Sequence, residues 1–185
     1  RLDLNLPEPQ LEFLRKLRKK SENPVILVLT GGSPIATPEI EQLADAILWV
    51  WYPGQQGGTA VADVIFGDHN PSGRLPITFP MSTAQLPPYE NYGMAGRTYK
   101  YMTEKPWFPF GYGLSFTSFE YAKPELSSDS IRSGEALEVT VRVRNTGERG
   151  GTEIVQLYIT SEDANFDVPR SSLIGFKPVE IAAGS

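Results

Sequence analysis

The spacing of apolar residues in the first third of the chain switches repeatedly between helical and extended patterns. Leu11, Phe13, Leu14 and Leu17 recur among charged neighbours, which predicts an amphipathic helix. Pro7-Glu8-Pro9-Gln10 opens it, with Pro and an acid suiting unpaired N–H groups and the positive dipole end. Arg15, Lys16, Arg18, Lys19 and Lys20 crowd its last turns. Such a run could meet a polyanion, but a solvated helix end with cations at the negative terminus accounts for it. Residues 25–29 are uninterrupted Val, Ile and Leu, the pattern of a strand covered on both faces. Thr37, Pro38 and Glu39 have the form of an N-cap, a first-turn Pro and an acid, with Ile40, Leu43 and Ala44 on the inner face of the helix they start. Residues 46–51 read as a second buried strand. Residues 59–66 read as a third helix, with Val61, Val64 and Ile65 inward and Gly67 as its stop. Helix, strand, helix, strand, helix with short links predicts an open α/β sheet.

Regularity then disappears. Between residues 68 and 114, Asn70-Pro71, Leu75-Pro76, Phe79-Pro80 and Leu86-Pro87-Pro88 mark turns and extended chain. Tyr89, Tyr92, Tyr99, Tyr101, Trp107, Phe108, Phe110 and Tyr112 are scattered among them. An irregular stretch of this length carries function or wraps a neighbour. From Phe119 the period becomes two. Leu137, Val139, Val141 and Val143 alternate with polar residues, and Val155, Leu157 and Ile159 are expected inward on the next strand. Residues 173–181 form a further strand candidate, weakened by Pro178. About four strands fit where an immunoglobulin or fibronectin type III sandwich has about seven, so an incomplete antiparallel β-sandwich is expected. The chain divides on this reading into residues 1–80, an aromatic-rich packing segment at 81–118, and residues 119–185.

Seventeen Gly and sixteen Pro suit so much loop. Seventeen Lys and Arg against 22 Asp and Glu give a net charge of −5, which argues against nucleic-acid binding. No apolar run has the length of a membrane span. Cysteine is absent, removing disulfides, thiolate metal sites and cysteine nucleophiles. A Ser-His-Asp triad or a transition-metal site would need His69, the single histidine, and neither a nucleophile elbow nor a second imidazole supports one. Neither Thr30-Gly31-Gly32-Ser33 nor Gln55-Gln56-Gly57-Gly58 matches a phosphate-binding pattern. Asp45, Asp63, Asp68, Glu90 and Glu104 are acids of a type suited to glycosyl transfer, but none stands out from ordinary caps and surface acids. The aromatic stretch, with Arg97, Asn91 and Gln55 nearby, suits either sugar stacking or the gluing of two domains, and gluing is favoured. The start lacks Met and a signal segment, and Ser185 falls where a further strand would follow, so a piece of a longer protein is expected.

Taken together, several blocks resemble the C-terminal half of glycoside hydrolase family 3, the β-glucosidase and β-xylosidase family. They include Leu4-Asn-Leu-Pro7, residues 46–58 with Trp51-Tyr-Pro-Gly54, Asn70 to Pro80, Pro109 to Phe116 and Val143 to Gly147. The resemblance implies the later part of an α/β sandwich of flavodoxin-like kind, followed by the start of a fibronectin type III-like domain. It implies a preceding TIM-like barrel, in the same chain or a second one, and a retaining, exo-acting β-glycosidase that takes terminal sugars from oligosaccharides. The family's nucleophile is a barrel Asp, and in many members its acid is a Glu shortly before a Gly-x-Asp-Arg segment. Arg1 would end that segment, so both catalytic carboxylates are expected upstream of this chain and none within it. No cofactor is implied, and the family favours a secreted or periplasmic location.

Within the family, residues 96–101 look like a Gly-Arg-Thr-Tyr-Arg-Tyr block, with Lys100 in place of the second Arg, which keeps the charge but loses the planar fork. Arg97 and Tyr99 are the residues expected near the substrate cleft, against the alternative of a domain-interface strand. The rival from another class is a noncatalytic carbohydrate-binding or structural scaffold module.

Overall fold

A computed structural model describes residues 3–162 and 168–185. Arg1, expected to end a Gly-x-Asp-Arg segment, lies outside the described residues. Helix α1, Glu8–Lys20, begins after Pro7 with Glu8 in its first turn and ends with Arg18, Lys19 and Lys20. Strand β1, Ile26–Leu29, and strand β2, Ala46–Trp49, run parallel with Ile26 opposite Ala46 and Leu29 opposite Trp49. Between them lies α2, Ile40–Leu43. Leu11 and Leu14 of α1, Leu29, Ile35 and Ile40 form the buried core, with Leu6, Leu27, Leu43, Ile47, Trp49 and Trp107 packed around it. Each such side chain contributes about 1.5–3 kcal/mol when fully buried, and Ile40 is wholly enclosed.

Helix α3, Gly57–Phe66, ends at Gly67, whose φ of 83° lets its N–H reach the Val64 carbonyl, the left-handed stop expected of glycine.

Four expectations for this part need correction. Thr37 does not cap α2; its Oγ1 accepts the Leu6 N–H at 2.9 Å, because that strap crosses the helix start and its own donor needs a partner. The second strand ends at Trp49, since Trp51 adopts a φ of 50°, which is incompatible with a strand. The strands are not covered on both faces, for Ile26 is 44% exposed and only β1 and β2 form this sheet among the described residues. Helix α3 starts two residues earlier than expected, at Gly57.

Residues 68–118 hold extended pairings rather than regular sheet. Phe79 and Phe108 exchange both backbone hydrogen bonds, at 2.8 and 3.2 Å. Leu75 donates to the Tyr112 carbonyl at 2.8 Å and Gly111 to the Leu75 carbonyl at 2.7 Å. A 3₁₀ turn occupies Thr83–Gln85, and α4, Thr98–Tyr101, is a single helical turn where an interface strand was the alternative.

The remainder contains six strands among the described residues, four of them short, more than the four strands expected. They are β3 Phe119–Tyr121, β4 Glu125–Leu126, β5 Val139–Thr140, β6 Val143–Asn145, β7 Gly151–Thr160 and β8 Ser171–Ile181. Antiparallel pairs form between β3 and β6, β4 and β5, and β7 and β8. The alternating run at 137–143 is therefore split between β5 and β6. A register shift falls between Leu157 and Tyr158, where Leu157 faces Gly175 and Tyr158 faces Leu173, leaving Ile174 as the extra bulge residue. Pro178 sits inside β8 opposite Ile154, tolerated because the other edge of β8 carries no ladder among the described residues. Leu157 and Ile159 were expected inward but stand 38% and 58% exposed. Their face of β7 is covered at Gly151 and Glu153 but open further along, and Tyr158 on the other face packs against Tyr99 and Phe110.

Asn145 is the most enclosed polar residue here, at 0% exposure. Its Nδ2 donates to the Arg149 and Ile181 carbonyls at 2.7 and 3.2 Å. Its Oδ1 accepts from Thr117 Oγ1 at 2.6 Å and from the Gly147 N–H at 3.0 Å. A buried amide is stable only when its donors and acceptors are matched in this way.

Candidate functional site

A cleft of about 1030 Å³ opens beyond the C-terminal ends of β1 and β2, the position where parallel α/β sheets place ligands. The loop after β1 supplies Thr30, Gly31 and Gly32, α1 supplies Glu8 and Arg15, and the loop after β2 supplies Tyr52. Gly31 donates to the Trp51 carbonyl at 3.2 Å, tying the two loops together. Trp51 holds its φ of 50° there, a conformation costing a bulky residue about 1 kcal/mol or more.

Arg15 organises the polar wall. Its Nε and Nη2 donate to Glu39 Oε1 and Oε2 at 2.5 and 2.6 Å, and its Nη1 to Glu8 Oε1 at 2.6 Å. The guanidinium holds the Glu39 carboxyl below the usual carboxylate range. A general acid needs the opposite shift, so Glu39 stays ionised and acts as a tie. Asp45 is likewise held low, by Arg18 at 2.9 Å and by the Val25 N–H at 2.7 Å. Of the acids noted in sequence, Asp45 thus fixes the end of α1 to the start of β1.

A second, smaller hollow of about 420 Å³ is lined by Arg74, Phe110, Tyr112, Tyr121, Glu153 and Tyr158, among others. Arg74 Nη2 meets Glu153 Oε2 at 2.5 Å, and Tyr121 donates to Glu153 Oε1 at 2.7 Å. Burial, followed by this hydrogen bond, pushes the Tyr121 hydroxyl pKa well up. Both carboxylate oxygens of Glu153 are engaged, so this acid too serves as a tie. Sequence reasoning missed the trio. Glu153 alternates with Gly151 and Val155 along β7, but nothing in the sequence points to Arg74 or Tyr121 as its partners.

Arg97 and Tyr99 are not brought to one place. Arg97 turns onto its own loop, with Nε donating to the Gly93 carbonyl at 3.1 Å and Nη2 to the Pro88 carbonyl at 3.1 Å and the Asn91 carbonyl. Asn91 shares this loop, with its Oδ1 accepting the Gly93 N–H at 2.9 Å. Tyr99 stacks on Phe110 with centroids 4.2 Å apart and accepts the Leu173 N–H at 3.2 Å. Other aromatics join β2 and the residues after it to the irregular segment. Trp49 contacts Trp51 and Phe79 edge-on at 5.3 Å each, Phe79 meets Phe108 at 6.5 Å, and Phe108 lies between Trp107 and Tyr112 at 4.7 and 4.9 Å.

Comparison with known proteins places this geometry. Residues 1–116 match the model of the glycosyl hydrolase family 3 C-terminal domain. The whole chain is 48% identical to part of a xylan 1,4-β-xylosidase of Xylanibacter ruminicola, of which it covers 21%. It is 38% identical to part of a periplasmic β-glucosidase of Salmonella typhimurium, of which it covers 26%. A solved β-glucosidase from Erythrobacter marinus superposes on the full chain with a TM-score of 0.86 and 40% identity, and the chain covers 25% of it. The chain therefore spans about a fifth to a quarter of the length of these relatives. With the family model covering more than half of its residues and the relatives matching all of it, the chain belongs to glycosyl hydrolase family 3, within the C-terminal part of that family's proteins.

Proposed function

We propose that this chain is the C-terminal portion of a retaining, exo-acting β-glycosidase, a β-glucosidase or β-xylosidase, that removes terminal β-linked sugars from oligosaccharides. The observation that carries the reading is the match of the entire chain, at 48% identity, to about a fifth of a xylan 1,4-β-xylosidase. The ties found for Glu39, Asp45 and Glu153 support a chain that does not itself supply the reacting acids. In this proposal residues 1–80 are the later part of a flavodoxin-like α/β sandwich, supported by the parallel β1–β2 pair. Residues 81–118 are the aromatic packing segment, and residues 119–185 begin a fibronectin type III-like domain, supported by three antiparallel pairs. The absent partner is a TIM-like barrel carrying the nucleophile, in the same polypeptide or a second chain.

The role of such a portion is positional. Retaining hydrolysis uses two carboxyl groups about 5 Å apart, one as nucleophile and one as acid and then base. When one of them belongs to a different domain, that domain must be held closely, since a misplacement of about 1 Å can cost about 100-fold. The aromatic segment supplies the holding. Arg97 and Tyr99 belong near the cleft on this reading, Arg97 by shaping the loop that carries exposed Tyr89 and Tyr92, and Tyr99 by anchoring α4 to β8. A noncatalytic binding module is disfavoured, since the relatives covering the whole chain are glycosidases.

The test is an assay of the whole reading frame and of this chain alone on aryl β-xylosides and β-glucosides, with the first-formed anomer followed by NMR. The whole protein should release the sugar with its β-configuration, and the chain alone should be inert. Turnover by the purified chain, or α-configured product, overturns the reading.

A further inference from the structure

The cleft beyond β1 and β2 has one wall that the positional role does not need. Tyr52 is 79% exposed at its rim, yet its backbone and ring are firmly held. On one side stands Trp51 with its left-handed backbone, tied through its carbonyl to Gly31. On the other stands Pro53, packed so closely on Gly57 that a Cβ there would lie 2.5 Å from its ring. Beneath the phenol ring lies Gly32, where a Cβ would come within 2.7 Å of Tyr52 Cε2. A glycine shelf, a strained neighbour and a wedged proline thus hold an aromatic ring that buries little of its own surface. That is an arrangement for presenting the ring to something else. The same cleft is lined by Arg15, Glu8 and Glu39, together with Thr30 and Asp3.

We infer that this cleft is a sugar-binding subsite, with Tyr52 as the stacking platform for a pyranose ring and the Arg15–Glu8–Glu39 cluster as the partner of its hydroxyls. The inference rests on the glycosidase reading and names a further specificity-determining residue for it. A pyranose presents an apolar C–H face on one side and a ring of hydroxyls at its edge. An exposed aromatic face sharing a cleft with charged hydrogen-bonding groups complements both, and the cleft volume of about 1030 Å³ is near that of pockets that enclose small ligands. Because Gly31, Gly32 and Tyr52 lie on loops at the C-terminal ends of parallel strands, the platform faces the side where α/β sheets receive ligands. The sugar held is two or more units beyond the cleaved one, past the place an aryl leaving group occupies, so binding there affects longer substrates and leaves a single-sugar aryl glycoside unaffected.

The test uses the whole polypeptide with Tyr52→Ala, Tyr52→Phe, Gly32→Ala and the double alanine variant. Substrates are an aryl β-glycoside and a β-1,4-linked tetrasaccharide of the same sugar. Tyr52→Ala should raise KM for the tetrasaccharide about tenfold, the change that about 1.4 kcal/mol of lost stacking produces, with the aryl glycoside and the melting temperature unaffected. Tyr52→Phe should behave as wild type. Gly32→Ala should reproduce the loss by pushing the ring off its shelf, and the double variant should add nothing further. An unchanged tetrasaccharide KM in Tyr52→Ala overturns the subsite while leaving the glycosidase reading intact. An equal loss on both substrates with a lowered melting temperature also overturns it, since Tyr52 then packs against the rest of the polypeptide. A wild-type protein without turnover on either substrate overturns both readings together.

Discussion

Arg74 and Glu153, 79 residues apart in sequence, meet at 2.5 Å with side-chain exposures of only 12% and 11%. Arg74 comes from the extended segment after α3 and Glu153 from β7, so one ion pair clamps these two stretches of the chain together. Removing a single partner strands the other charge in a poorly hydrated place, which typically costs about 3–5 kcal/mol. Arg74→Met or Glu153→Gln in the whole protein should therefore lower the melting temperature markedly. The double variant Arg74→Met/Glu153→Leu should recover most of the loss. Calorimetry of the three variants checks this, and equal melting temperatures for wild type and both single variants would refute the clamp.

Asn145 makes a parallel case with a neutral group. Asn145→Leu keeps the volume but leaves the Arg149 and Ile181 carbonyls without the amide donor and Thr117 without its acceptor. Each stranded buried group costs about 1–3 kcal/mol. A loss of about 3 kcal/mol in denaturant unfolding is expected, with Asn145→Asp less harmful than Asn145→Leu on the Thr117 side.

The aromatic segment should couple stability to turnover. Trp107 packs on the core and stacks on Phe108, and Tyr112 stacks on the other side of the same ring. Trp107→Ala or Tyr112→Ala in the complete enzyme should lower the melting temperature and kcat together, with about 3 kcal/mol lost for the tryptophan. Undiminished kcat and unshifted melting in both variants would remove the holding role.

The acid side of the stability profile has a specific contributor. Glu39 is held below its ordinary pKa by Arg15, so in the window between its folded and unfolded values the unfolded chain binds more protons. The contribution is present in full above the ordinary glutamate value and is lost as the pH falls through the depressed one. Glu39→Gln should bring the melting temperature of the variant closer to wild type as the pH falls below the ordinary glutamate value. A difference between the two that stays constant from neutral to acid pH would contradict the assignment.

How much of this was legible in the residues differs by element. The core of α1, β1 and α2 was, because Leu11 and Leu14 recur at helical spacing, Leu29 ends an uninterrupted apolar run and Ile40 opens the inner face of α2. Gly67 announced the end of α3. Thr37 misled because its capping chemistry is generic: a hydroxyl acceptor serves whichever N–H lies near it, and here that is Leu6 from a distant segment. Leu157 and Ile159 misled because alternation identifies the two faces of a strand but not how far along it a neighbour covers each. The Arg74–Glu153–Tyr121 trio was invisible because its members are far apart in sequence and ordinary in type. Tyr52 stood in a recognised block, Trp51-Tyr-Pro-Gly54, but nothing in that pattern reveals its exposure or its seat on Gly32.

The central claim, that this chain positions a sugar-cleaving centre whose reactive acids belong elsewhere in the protein, is tested most directly by covalent trapping. The whole polypeptide is incubated with a 2-deoxy-2-fluoro β-glycoside, digested, and searched by mass spectrometry for the peptide bearing the sugar. The adduct should fall on an Asp in a peptide preceding Arg1. A sugar bound to any carboxylate between residues 1 and 185 would contradict the account.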